Sequence, residues 1–172
     1  QLQKQVAAFA GALAAEGVGK GDRVVIYMPM VPRAAIAMLA CARLGAVHSV
    51  VFGGFAAPEL AIRIDDARPK VIVTSHGGIE PTRKVPYFPM VAKALELTNH
   101  TPGSVIVAPR HDQCPDEKFP KTPGTTWSYW DDVVVGVSPA DPVPVAATDP
   151  LYILYTSGTT GRPKGVVRHN GG

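Results

Sequence analysis

Short, continuously apolar runs recur along the first 108 residues, and a segment of helical period separates each run from the next. Leu2, Val6, Phe9 and Leu13 mark one face of a helix. Gly17, Gly19 and Gly21 close it. Residues 24–28 read as a buried strand. Pro32 suits a first helical position, and residues 34–44 continue as an apolar helix that ends at Gly45. Residues 47–52 form the next strand and Gly53-Gly54 a turn. Pro58 opens a helix that runs to Ala67, with Leu60, Ala61 and Ile64 on its apolar face and Pro69 as its stop. Residues 71–74 are strand-like, a polar loop follows, and Val91, Ala94 and Leu95 mark a helix over 88–98. Residues 104–108 give a further strand. Strands without polar alternation need cover on both sides, so this order predicts an α/β fold: a mostly parallel sheet with helices on both faces.

The alternation stops after residue 108. Nine of the 17 prolines fall within residues 102–150, and seven acids stand against two lysines between 111 and 149. Residues 109–149 therefore read as a Pro-rich surface excursion with a short helix near 130–135, anchored by a small surface cluster of Trp127, Tyr129 and Trp130. A last apolar strand is expected over 151–155. With 46 % apolar and 18 % charged residues the chain can build a core and is not a disordered composition. No apolar run approaches the ~20 residues of a membrane span.

Net charge is +3, from 17 basic and 14 acidic groups. Arg162, Lys164 and Arg168 carry the whole excess, because no acid lies beyond residue 160. A spread basic face for nucleic acid is thereby excluded, and the charge marks one local site. Cys41 sits in an apolar run and Cys114 in a polar one, which argues against a disulfide and fits a reducing compartment. This predicts the cytoplasm, with the mitochondrial matrix as the alternative. His76, His100, His111 and His169 lack metal-ligand spacing. His48 lies in an apolar strand and reads as a satisfied core histidine. Asp65-Asp66 and Asp131-Asp132 read as solvated helix faces. No nucleophile–base–orienter set can be assembled. The chain opens on Gln1 and ends on Gly171-Gly172, which predicts a piece of something longer.

Residues 155–166 read Tyr-Thr-Ser-Gly-Thr-Thr-Gly-Arg-Pro-Lys-Gly-Val. Thr156, Ser157, Thr159 and Thr160 interleave with Gly158, Gly161 and Gly165. Glycines let backbone N–H groups approach an anion, hydroxyls add donors, and Lys164 supplies a mobile positive charge. A Walker A loop requires Gly-Lys-Ser/Thr. Here Lys164 precedes Gly165 and no hydroxyl follows the lysine, so that class is disfavoured.

This segment resembles the signature phosphate loop of the acyl-adenylate-forming enzymes: acyl-CoA synthetases, luciferases and peptide-synthetase adenylation domains. Residues 22–30 (DRVVIYMPM), 37–51 and 52–55 (FGGF) resemble the short-chain acyl-CoA synthetase branch. GIEPTR at 78–83 and GVVRHNGG at 165–172 are closer to the propionate ligase pattern than to GVRAGR and GVLHTTGG of acetate enzymes. His169 departs from it, since propionate ligases usually carry Asp there. The resemblance runs along nearly the whole chain and makes residues 1–172 an incomplete AMP-binding domain.

The resemblance implies ATP with Mg, CoA as co-substrate and a short-chain carboxylate, with propionate favoured over acetate. A carboxylate attacks the α-phosphate, pyrophosphate leaves, and the CoA thiol then takes the acyl group and releases AMP. Thr156, Ser157, Gly158, Thr159, Thr160, Gly161, Lys164 and Gly165 would hold the β- and γ-phosphates. Phe52, Gly53 and Gly54 match the place where the family packs the CoA adenine, although alone they read as a strand end and a turn. Glu80, Pro81, Thr82 and Arg83 match the segment that contacts the CoA nucleotide and its phosphates. Glu80 stands where acetate enzymes have a second Arg. The family's adenylation lysine and carboxylate pocket lie downstream, so no complete catalytic set and no turnover are expected of these 172 residues alone. Two other readings stay open: an amino-acid or aryl-acid activating enzyme, and a non-catalytic nucleotide-binding truncation.

Overall fold

The structure, a computed structural model, describes residues 1–80, 82–110, 118–156 and 163–172. Helix α1 (Leu2–Ala15) precedes strand β1 (Arg23–Tyr27), α2 (Pro32–Arg43), β2 (Val47–Val51), α3 (Ala57–Ala67) and β3 (Val71–Ser75). Gly17 ends α1 with φ +82°, and its N–H and that of Val18 return to Ala14 O and Leu13 O, a chain reversal that a Cβ would strain. Pro32 occupies the first turn of α2, as its fixed φ and missing N–H favour. Arg68 ends α3 in the left-handed region just before Pro69.

The polar loop expected after β3 is a small antiparallel hairpin, β4 (Gly78–Glu80) with β5 (Arg83–Val85). Helix α4 (Tyr87–Leu97) and strand β6 (Ser104–Ala108) follow. Within residues 109–149 the expected short helix is α5 (Trp130–Val133), and the structure adds one element before it, β7 (Thr126–Tyr129). β7 pairs with β6 in parallel, so this part of the Pro-rich stretch is a strand of the sheet. β8 (Pro150–Thr156) and β9 (Lys164–His169) close the order β7-β6-β3-β1-β2-β8-β9. All neighbours are parallel except β8 and β9.

Both faces of the central strands β1, β2, β3 and β6 are buried, as their continuous apolar runs require, whereas β8 is only partly buried and β9 is exposed. On β1, Val24 and Ile26 face α1 and α2 with Phe9, Leu13 and Ile36. Val25 and Tyr27 face α3 and α4 with Leu60, Ile64 and Val91. The aromatics near β7 divide the same way. Trp130 is buried and stacks on Phe9 at 3.4 Å between centroids. Trp127 and Tyr129 pack with Phe119 on the opposite face. The cluster thus fastens the stretch into both cores, not only onto the surface.

Residues 138–143 strap across α1 and α2. Ala140 N–H donates to Ala7 O, and Arg43 Nε donates to Ala140 O at 2.6 Å. Gly11 makes room for the strap: a Cβ there would fall 2.1 Å from the Ser138 carbonyl oxygen. Gly→Ala in a helix normally gains about 1 kcal/mol, whereas overlap with fixed backbone costs about 1–3 kcal/mol. Because the Cβ would sit only 2.1 Å from a backbone oxygen, the overlap should win, and Gly11→Ala is expected to lower stability by up to about 2 kcal/mol in urea unfolding; a stabilised variant would refute the strap as a tight contact.

Candidate functional site

Helix α2 leaves β1 on one face of the sheet, whereas α4 follows β3 on the other. In an open parallel sheet, this change of side opens a crevice beyond the C-terminal ends of the two strands. Two tyrosines organise that edge. Tyr27, the last residue of β1, donates from Oη to the carbonyl oxygens of Phe55 (2.7 Å) and Gly53 (3.3 Å), in the turn after β2. Tyr87, fully buried at the start of α4, lies 5.2 Å from the Tyr27 ring between centroids and beside the segments that follow β2 and β3. A Cβ on Gly53 would fall 1.9 Å from Tyr87 Oη. One on Gly78 would fall 2.9 Å from Tyr87 Cε2 and 3.1 Å from Pro29 Cβ.

The segments 52–54 and 78–83, far apart in sequence, are therefore held at one edge. Three large apolar side chains remain exposed there, Met30 (90 %) and Phe52 (66 %) on the loops after β1 and β2 and Ile79 (49 %) on β4. Arg83 pairs with Glu80 in the hairpin register, and Thr82 and Arg83 are exposed. Pro81 lies outside the described residues.

β8 runs parallel to β2, so Thr156, its last residue, lies at the same edge. Thr156 is paired with Lys164, and Tyr155 with Gly165, across the β8–β9 hairpin. Both Thr156 and Lys164 are exposed. Ser157, Gly158, Thr159, Thr160 and Gly161, five of the expected phosphate-loop residues, lie outside the described residues.

Sequence reasoning missed what secures this hairpin. Tyr155 Oη donates to Asp66 Oδ2 at 2.6 Å, from the hairpin to α3. Burial, together with the neighbouring Asp66 carboxylate, pushes the Tyr155 phenol above its ordinary pKa. A Cβ on Gly165 would fall 3.1 Å from Ile153 Cγ2 and 3.2 Å from Tyr155 Cε1. Gly165 is thus the residue that lets Tyr155 cross its strand partner to reach Asp66. Asp65 accepts the N–H groups of Asn99 and His100. These neighbouring acids read as a solvated helix face because their partners are 34 to 89 residues away. A cavity of about 520 Å³ lined by Ile62, Asp65, Asp66, Asn99 and Pro163 opens beside them.

His48 is buried as expected but not satisfied: its Nδ1 has no hydrogen-bond partner among the described residues. The ring lies 5.7 Å from that of Tyr152, in a cleft of about 240 Å³ with Met38, Val50 and Leu154. Among the described residues no group of three or more His, Cys, Asp or Glu side chains could hold a metal, and no helix is long and apolar enough to cross a membrane.

An open parallel sheet with its candidate ligand segments gathered at one C-terminal edge defines a class of α/β binding domain. Comparison with known proteins gives the family: residues 1–172 match that of the AMP-binding enzymes, and the chain belongs to it. It is 60 % identical to an uncharacterised protein of Pseudomonas aeruginosa over all of its length and 27 % of that protein. It is 52 % identical to the mitochondrial acyl-CoA synthetase short-chain family member 3 of Mus musculus, covering 25 % of that protein. It is 47 % identical to the acetyl-coenzyme A synthetase of Shewanella denitrificans, covering 26 % of it. Among solved structures, the acetoacetyl-CoA synthetase of Streptomyces lividans superposes with a TM-score of 0.85 at 32 % identity, over 99 % of this chain and 25 % of that one. The chain thus spans about a quarter of the length of the relatives it matches.

Burial of His48 yields a pH dependence. Desolvation lowers its pKa from the ordinary 6.5 to about 4. Below pH 6.5 the unfolded chain takes up a proton that the folded one refuses, so stability present above 6.5 is lost as pH falls toward 4. Urea unfolding should show a loss of about 2 kcal/mol between pH 6.5 and 4.5 that His48→Leu removes. An equal loss in that variant would mean that other groups cause it.

Proposed function

We propose that the protein of which this chain is part is an AMP-forming acid–CoA ligase of the short-chain branch. A short-chain carboxylate attacks the α-phosphate of ATP, pyrophosphate leaves, and the acyl group of the resulting acyl-adenylate passes to the CoA thiol with release of AMP. The convergence of the turn 52–55, the hairpin 78–85 and the end of β8 on one sheet edge carries this reading. A two-step adenylate chemistry needs a nucleotide phosphate site and a CoA site within reach of each other, and positioning is its main catalytic resource. Identity of 52 % to a named short-chain synthetase along the full chain supports the branch.

In this reading Thr156, Ser157, Gly158, Thr159, Thr160, Gly161, Lys164 and Gly165 hold the β- and γ-phosphates. The exposed ammonium of Lys164 neutralises charge on the departing pyrophosphate. Phe52 offers an exposed ring face to the CoA adenine, beside Gly53 and Gly54. Arg83 meets a CoA phosphate from the hairpin, within the segment Glu80, Pro81, Thr82 and Arg83 that matches the family's CoA-contacting stretch. Magnesium would arrive on the ATP phosphates, held by them and by water. Residues 1–172 form an incomplete AMP-binding domain, with 109–149 as a Pro-rich stretch within it. GIEPTR and GVVRHNGG favour propionate over acetate. The buried Cys41 thiol, pushed up to about 12 by desolvation, suits a reducing compartment, either cytoplasm or mitochondrial matrix.

Carboxylate-dependent ATP–pyrophosphate exchange by the full-length protein tests the first half-reaction. Lys164→Ala should slow exchange about 10- to 100-fold without lowering the thermal midpoint, since the side chain is exposed. Arg83→Ala should leave exchange intact and raise the KM for CoA about tenfold or more. Normal exchange in the lysine variant would refute the phosphate assignment. Exchange rates with acetate, propionate and butyrate decide the branch: a maximum at propionate is expected, and a maximum at acetate would overturn that preference.

A further inference from the structure

Arg63 is a cation on the buried side of α3, only 5 % exposed, between Leu60 and Ile64 of the core. A guanidinium removed from water must find replacement partners. One nitrogen does so within the helix: Nη1 donates to Glu59 O at 2.6 Å and to Glu59 Oε2 at 2.9 Å. Two aromatic rings from separate segments supply the rest. The Arg63 Cζ lies 4.3 Å from the Phe55 ring centroid and 5.6 Å from that of Tyr155. Both separations are within the range in which a ring face attracts a cation.

These rings are not arbitrary neighbours. Phe55 ends the FGGF turn, where Tyr27 Oη holds its carbonyl, and its ring meets Phe52 edge-on at 6.0 Å. Tyr155 stands one residue before Thr156, and its hydroxyl is fixed by Asp66, which is three residues along α3 from Arg63. One turn of α3 thus grips the turn after β2 and the strand that feeds residues 156–165.

We propose that Arg63 is a positioning residue that couples the CoA-side turn 52–55 to the phosphate-side strand β8, so that both keep their places relative to each other. The inference rests on the functional reading above for the identity of the two ligands, but the physical link can be tested without it. Arg63→Met keeps the length and apolar stem and removes the planar charge. Arg63→Lys keeps a charge without the flat face and should retain folding if the methionine variant does not.

In the full-length protein, Arg63→Met should speed amide hydrogen exchange both in peptides covering 52–56 and in those covering 150–156. It should also raise the KM for ATP in pyrophosphate exchange and the KM for CoA in thioester formation, each about three- to tenfold. Arg63→Lys should shift all four quantities in the same direction by less. Phe55→Leu should move the CoA value alone and Tyr155→Phe the ATP value alone. Amide exchange that rises in one segment only or in neither, or KM values within twofold of the parent, would overturn the coupling. Lys164→Ala and Arg83→Ala serve as controls. If Lys164→Ala exchanges at the parent rate and Arg83→Ala keeps the parent KM for CoA, the ligand assignment has failed. If they respond while Arg63→Met does not, the bridge alone has failed.

Discussion

Parallel pairing of β1 with both β2 and β3 is the constraint from which the rest of the molecule follows. Arg23 to Tyr27 lie in register with Val47 to Val51 on one side, and Val24 to Tyr27 with Val71 to Thr74 on the other. Three strands of one direction and matched length deliver their exits to one edge, where no hairpin can join them and each chain must turn back through a helix. The loops after β1, β2 and β3 then crowd together. Tyr87 fills the space between them, and Gly53 and Gly78 are the positions at which no side chain fits beside its ring. Thr74 Oγ1 donates to Tyr27 O at 2.7 Å, which holds the ends of β1 and β3 level.

Beyond β2 the sheet is held differently. β8 shares one register pair with β2, His48 with Tyr152, against five between β1 and β2, so the backbone ladder cannot carry the hairpin alone. Side chains take over. Ser49 Oγ donates to Ile153 O at 3.0 Å, Tyr155 reaches Asp66, and Arg63 faces the Tyr155 ring. Lys20 meets Asp149, just before β8, at 2.8 Å, a pair exposed enough to count for little by itself. The segment that the charge pattern singles out is thus docked through polar and cation–aromatic contacts onto α3 and β2.

The alternation of apolar runs with helical segments was legible because it is local: five strands, β1, β2, β3, β6 and β8, and the helices α1 to α4 fall close to where residue spacing puts them. β7 was not legible. Thr126–Tyr129 alternates aromatic and polar residues like an edge strand, but its place depends on an open edge of β6 more than twenty residues earlier. The 78–85 hairpin was missed because Ile79 and Val85 are its only strand-like residues. At the candidate site, motif residues could be named from spacing and resemblance, whereas Tyr27, Tyr87, Arg63 and Asp66 could not. Each acts through a partner at long range, and the one local sign was a charged Arg63 within an apolar helix face.

The structure also changes what the glycines can be taken to mean. Gly53 is explained by Tyr87 Oη, Gly54 by the Phe52 ring 2.6 Å from its would-be Cβ, and Gly165 by Tyr155 and Ile153. A glycine already required by packing is no argument for close approach of a ligand, however well it fits a binding motif. The weight shifts to side chains that the fold does not consume. Phe52 leaves two thirds of its surface in water although burial of a phenyl group would stabilise by about 2–3 kcal/mol. Arg83 and Lys164 form no ion pair among the described residues. On the function proposed above, this wet aromatic face and these two cations, on three segments that the fold brings to one edge, are the groups left free to meet an adenine and phosphates.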